Sequence, residues 1–255
     1  MTAVLLVVDG PIARVTLSHP GKFNAMSRAM WRELKAVFDG LSARGSLRCV
    51  MLAGEAGHFC AGGDISEYPA FRFEEATLRG FHEDEVWPAL QAVLDCPVPV
   101  VGQIEGHCMG AGLEIACCCD IRVAGEGARF GAPIARLGFP MAPREAQLVA
   151  REAGMAVARA MLLEAAVLTA AEMQQRGFLN AVVADAAVAV EATLHAERIA
   201  ALAPQAARLN KRLLRSLQQE GSLNDALLAE AYRYAPSAVH REGVAAFLAK
   251  RPPVF

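Results

Sequence analysis

The sequence predicts an α/β fold. A strand, glycine loop and helix follow one another twice, over residues 47–70 and 100–119, and an amphipathic helical stretch closes the chain from about residue 189. Composition is the third observation: hydrophobic residues make up 54% of the chain and aromatics only 6%. The core is therefore expected to be built from Ala, Val and Leu, which suit closely packed helices and buried parallel strands. At 255 residues the chain is long enough to bury such a core as one domain with a helical extension. We place the core at residues 1–188 and the extension at residues 189–255.

Taken in order, residues 3–8 (AVLLVV) and 12–17 (IARVTL) are short apolar runs split by Asp9-Gly10-Pro11, a turn signal, and predict a hairpin. Ser27 then stands ahead of RAMWRELKAVFDGLSA, where Met30, Leu34, Val37, Phe38 and Leu41 recur at helical spacing. LRCVMLAG (47–54) predicts a buried strand running directly into the glycine-rich GHFCAGGDI (57–65). Such a junction is where α/β folds often place ligands. Residues 66–96 predict helix, with the run His82-Glu83-Asp84-Glu85 read as a solvated face. Pro97 and Pro99 bracket the entrance to the strand VPVVGQIEG, which delivers the chain to GHCMGAGLEIACCCD (106–120). There Leu113-Glu114-Ile115-Ala116 predicts the first turn of a buried helix. DIRVAG (120–125) and ARFGAP (128–133) predict short strands. Helix dominates from about residue 143, and VLTAAEMQQRGFLNAVV (167–183) predicts helix, a stop at Gly177 and a short strand.

Charge and cysteine usage exclude several functions. With 25 Lys and Arg against 27 Asp and Glu, there is no bias toward nucleic acid or an anionic membrane. The N-terminal apolar run has no basic segment before it and is broken by Asp9 and Pro11, so neither a targeting signal nor a spanning helix is expected. A cytoplasmic protein is the expectation. Seven cysteines, three of them contiguous at Cys117, Cys118 and Cys119, suit neither a disulfide framework nor a zinc site, and are expected to be reduced core thiols. No metal site is expected.

The glycine loops admit three readings. A dinucleotide fingerprint fails because Ile115 stands where the third glycine is needed after Gly110 and Gly112, and neither loop ends in the Gly-Lys-Ser/Thr of a phosphate loop. The third reading is a pair of backbone N–H groups, one from each loop, converging on a carbonyl oxygen that gains negative charge. Tight strand–helix packing explains either loop alone; two together, with one acid, Glu114, beside them, count against it without removing it.

HPGKFNAMS (19–27), HFCAGGDI (58–65), IEGHCMGAGLEIACCCDIRVAGEGARFGAP (104–133) and LTAAEMQQRGFLNAVV (168–183) stand in the order seen in the crotonase, or enoyl-CoA hydratase/isomerase, superfamily, which this sequence resembles over nearly its whole length. The resemblance implies a core of stacked ββα turns, a C-terminal helical trimerisation region and an acyl-CoA thioester as substrate, with coenzyme A entering only as part of that substrate. It places the thioester oxygen between the amides of Gly63 and Ala111, with Glu114 moving protons beside them. It further implies coenzyme A contacts from Lys22, Phe23, Ala25, Ala61, Asp64, Ile65 and Lys250, and a homotrimer or dimer of trimers. The apolar helical stretch from Leu194 to Leu228 has the surface such an assembly would bury.

The chain departs from the family pattern at one position that matters. Family hydratases hold one water between two glutamates; one aligns with Glu114, and the other position is Ile134 here, whose side chain can neither orient water nor accept a proton. Glu145 in FPMAPREAQ (139–147) is a candidate second acid, or else a cap in the first turn of a helix. Arg144 is open in the same way. Asp64 reads as a loop-fixing acceptor, and His58 and His107 as hydrogen-bonded structural residues. The expected activity is hydration, dehydration or a double-bond shift next to the thioester, weak as hydration of simple crotonyl-type substrates. Decarboxylation, thioester hydrolysis and non-catalytic acyl-CoA binding are the alternatives.

Overall fold

The computed structural model of the chain describes residues 2–220 and 225–255. Strands β1 (Ala3–Asp9) and β2 (Ile12–Ser18) form the expected antiparallel hairpin. Helix α1 (Arg28–Ser42) is capped by Ser27, whose side chain accepts from the Met30 N–H, and buries the stripe Met30, Trp31, Leu34, Phe38 and Leu41. The spacing that predicted the helix is the spacing that fills the core. β3 (Cys49–Gly54) is followed by a 3₁₀ turn (Ile65–Ala70), α2 (Glu75–Gly80), a π-helical turn (Phe81–Val86) and α3 (Trp87–Leu94).

Next come β4 (Val100–Ile104), β5 (His107–Met109) and α4 (Ala111–Cys117), then β6 (Ile121–Gly125), β7 (Arg129–Gly131) and a 3₁₀ turn (Pro133–Leu137). Helices α5 (Pro143–Ala153) and α6 (Met155–Leu163) precede β8 (Val167–Thr169), α7 (Ala170–Gln175) and β9 (Ala181–Val183). The chain closes with α8 (Val188–Ala200), α9 (Pro204–Glu220), α10 (Asp225–Glu230) and α11 (Ala238–Leu248). Residues 221–224, within the helical stretch expected over 194–228, lie outside the described residues.

Two sheets stack. The larger runs β1-β2-β3-β4-β6-β9, parallel from β2 onward, and the smaller runs β5-β7-β8. β4, β5 and α4 make one rung of the stack: one strand in each sheet, then a helix. The strands β5 and β8 are not predicted by sequence, because three residues are too few to show a period of two.

The rungs lie close where side chains are absent. A Cβ at Gly112 would strike the Cys60 carbonyl oxygen, so α4 can approach the first loop only with glycine there. Gly110, at φ +48°, turns the chain from β5 into α4 through a conformation that L side chains rarely adopt. All seven cysteines are free and buried. Lys211 ties α9 to this core, its buried ammonium 2.7 Å from Asp120 Oδ2 and donating to the Val98 carbonyl at 2.9 Å. Among the described residues no helix is long and apolar enough to cross a membrane, and no group of three His, Cys, Asp or Glu is placed to hold a metal ion.

Candidate active site

The two glycine loops meet at one cavity of about 330 Å³, walled by Gly63, Ala111, Glu114, His82 and Ile134 among others. Backbone bonds hold the loops in place. Met26 N donates to Gly62 O and Asp64 N to Met26 O, both at 2.8 Å, while Cys60 N donates to His107 O at 2.8 Å and Met109 N returns to Cys60 O at 2.9 Å. Gly110 N is taken by Gly131 O at 2.8 Å. The amides of Gly63 and Ala111 differ from these neighbours: among the described residues neither has a protein acceptor, and both residues line the cavity.

Glu114 enters from the first turn of α4 and is 9% exposed. No protein donor among the described residues satisfies its carboxylate. Burial, with a smaller push from the Glu145 charge, lifts its pKa to about 8, because water that would solvate the anion is excluded and a second carboxylate disfavours it further. At neutral pH Glu114 is mainly the carboxylic acid.

Glu145 lies in the first turn of α5 with its side chain 2% exposed, and its Oε1 sits 3.0 Å from His82 Nδ1. His82 itself lines the cavity. This corrects the reading of residues 82–85 as one solvated face. The turn Phe81–Val86 is π-helical, with i→i+5 bonding that breaks the α-helical facing pattern. His82 therefore turns inward and Glu85 is held by Arg28, whose Nε lies 3.1 Å from Glu85 Oε1, while Glu83 pairs at the surface with Arg144 at 2.8 Å. No protein atom among the described residues bonds His82 Nε2. Nothing in the charged run marks His82 out, since its partner stands 63 residues away.

Other candidates fall into place around this centre. Ile134, on the Pro133–Leu137 turn, presents an aliphatic wall to the cavity. Ala61 and Ile65 line it too, whereas Lys22, Phe23, Ala25, Asp64 and Lys250 do not. Asp64 accepts from Ser66 N at 3.1 Å and pairs with Lys22 Nζ at 2.7 Å, the loop-fixing role its position predicted. Phe23 lies edge-on to His58, with centroids 4.6 Å apart, and Ala25 is buried. Lys250 is exposed after α11. His58 and His107 stack at 4.6 Å, and His107 N donates to His58 Nδ1 at 3.3 Å, so both bind the loops together.

The sequence model of the family described as Enoyl-CoA hydratase/isomerase matches residues 8–255. The chain belongs to the enoyl-CoA hydratase/isomerase family. It is 32% identical over 258 residues to a 2,3-dehydroadipyl-CoA hydratase of Escherichia coli, covering 100% of this chain and 99% of that protein. It is 31% identical over 252 residues to a short-chain-enoyl-CoA hydratase of Clostridium acetobutylicum, covering 97% and 95%. A crystal structure of an enoyl-CoA hydratase/carnithine racemase from Magnetospirillum magneticum superimposes with a TM-score of 0.95 at 39% identity, covering 100% of this chain and 96% of that one. As an enoyl-CoA hydratase/isomerase family member with the crotonase fold, the chain is an acyl-CoA-processing enzyme. The cavity wall carries Ile134 where the resemblance leads one to expect a second glutamate.

Proposed function

We propose that the chain hydrates an α,β-unsaturated acyl-CoA thioester, and catalyses the reverse dehydration, with coenzyme A arriving as part of the substrate. The observation that carries this reading is the pair of unclaimed amides, Gly63 and Ala111, beside a protonated Glu114 in one cavity. The thioester oxygen accepts from both amides, which hold the charge that develops as the double bond is attacked. Lys22, Phe23, Ala25, Ala61, Asp64, Ile65 and Lys250 are assigned to the coenzyme A moiety.

The second proton carrier is the His82–Glu145 pair. Glu145 accepts from His82 Nδ1–H, which leaves Nε2 with its lone pair free for water. His82 takes a proton from that water as its oxygen bonds to Cβ, the electron pair moves onto the thioester oxygen, and Glu114 delivers its proton to Cα. The proton on His82 then returns to Glu114 through water, closing the cycle. A panel of enoyl-CoA, malonyl-type and saturated thioesters tests the reading: 3-hydroxyacyl-CoA forms from the first only. Release of free coenzyme A or of carbon dioxide instead would replace hydration by hydrolysis or decarboxylation.

Ile134 favours a second reading, in which Glu114 alone shuttles a proton and shifts the double bond. The pH profile separates the two. Hydration needs Glu114 protonated, so kcat/KM is expected to fall as pH rises through about 8. A double-bond shift begins with Glu114 as base, so its kcat/KM would rise over the same range.

We also infer a homotrimer or dimer of trimers, in a cytoplasmic setting that free, buried thiols support. Leu202, Leu214, Leu217, Tyr232, Phe247 and Leu248 on the closing helices and their connections stand exposed, more apolar surface than a lone subunit ordinarily leaves in water. Light scattering is expected to give three or six times the 27.1 kDa chain mass; a monomer at micromolar concentration would overturn the assembly.

A further inference from the structure

Arg72 follows the 3₁₀ turn Ile65–Ala70, its backbone N donating to the Tyr68 carbonyl at 2.9 Å. Its guanidinium lies over the Phe139 ring at 3.6 Å from the centroid and over Tyr68 at 4.6 Å. It lines both the cavity that holds Glu114 and the adjoining groove of about 930 Å³. Neighbouring arginines are neutralised: Arg79 by Glu75 at 2.8 Å and Arg144 by Glu83 at 2.8 Å. Arg72 is not. Among the described residues its side chain makes no ion pair and no hydrogen bond.

A guanidinium packed against two rings set at 68° to each other is held by contacts that use none of its N–H donors, and those donors form the fork that matches a carboxylate. A wholly hydrocarbon acyl chain in this cavity would leave those donors unmet and half-buried, a penalty the pocket would impose on the wrong substrate. Burial without a counter-charge also pulls the Arg72 pKa down, so a bound anion would relieve what the protein does not. Arg136 lines the same cavity but is exposed and donates to the Ala165 carbonyl at 3.2 Å.

We propose that Arg72 reads a carboxylate at the far end of the acyl chain, making the substrate class the coenzyme A monothioesters of unsaturated dicarboxylic acids. This deepens the hydration reading and rests on it for the reaction, though not for the recognition.

Binding of saturated ligands tests recognition without chemistry. Calorimetric titration of wild type with glutaryl-CoA and adipyl-CoA, against pentanoyl-CoA and hexanoyl-CoA, is expected to show at least one dicarboxylyl ligand bound ~10- to 100-fold more tightly than its neutral counterpart, the range for a hydrogen bond to a charged group. Arg72→Met is expected to erase that ratio and Arg72→Lys to keep part of it, with free coenzyme A bound equally by all three proteins. Equal binding of both ligand types by wild type overturns the proposal, and needs no variant to fold. So does equal loss of both types in Arg72→Met, which would mean that Arg72 only packs. A loss shared by free coenzyme A would make Arg72 a phosphate contact instead. Preference without turnover of the matching enoyl-CoA would sink the hydration reading alone; turnover without preference would sink this one alone.

Discussion

Glu114→Gln is expected to lower kcat/KM for an enoyl-CoA substrate by ~10³- to 10⁴-fold, the upper part of the range for removing a positioned acid. The amide keeps the shape of the side chain but has no proton to give to Cα. The same substitution should stabilise the fold in alkali. Glu114 carries a folded-state pKa of about 8 against an ordinary 4.5, so the native chain binds one more proton than the unfolded chain between those values. Stability therefore falls as pH rises from 4.5 to about 8 and levels off above. Glutamine never ionises and escapes that loss. A Tm above that of wild type at pH ~9, with the two closer at pH ~5, would show that lost turnover is not lost folding. Full activity in the variant would remove Glu114 from the mechanism.

His82→Gln is expected to cost ~10²- to 10⁴-fold in hydration, and Glu145→Gln to act in the same direction. The two side chains work as one unit, Glu145 holding the ring at 3.0 Å and His82 handling the water. The double variant should therefore lose little more than the worse single one. Losses that multiply would mean that the residues act separately, and no loss in either would leave water activation elsewhere. A further arm uses Ile134, which faces the same cavity: adding Ile134→Glu to His82→Gln should restore part of the rate, by placing on that wall a carboxylate able to take a proton from water.

The legible parts of the fold were those with local causes. Ser27 caps α1 because a hydroxyl accepts from an N–H three residues on, and the apolar spacing after it fills the core. The closing stretch from about residue 189 is helical in α8, α9, α10 and α11. β5 and β8 left no trace, being too short for a pattern. At the site, Glu114 and the glycines around it stood in one run of 15 residues, 106–120, where small side chains announce close approach. The charged run 82–85 misled, because equal hydrophilicity does not say which of four neighbours a π-helical turn will point inward.

The sequence by itself determined the α/β class, the two glycine loops and the acid beside them, since each depends on residue types at short separations; that Ile134 stands where a second glutamate is expected came only from the family resemblance. Only the tertiary structure decided that Glu145 meets His82 across 63 positions and that, among the described residues, Gly63 and Ala111 keep their amides while Gly110 gives its own away and Arg72 stands in the cavity with no anion paired to it. These are outcomes of how helices dock and which donors remain after every backbone bond has formed. No local propensity encodes them, because each is settled by packing among segments far apart in the chain.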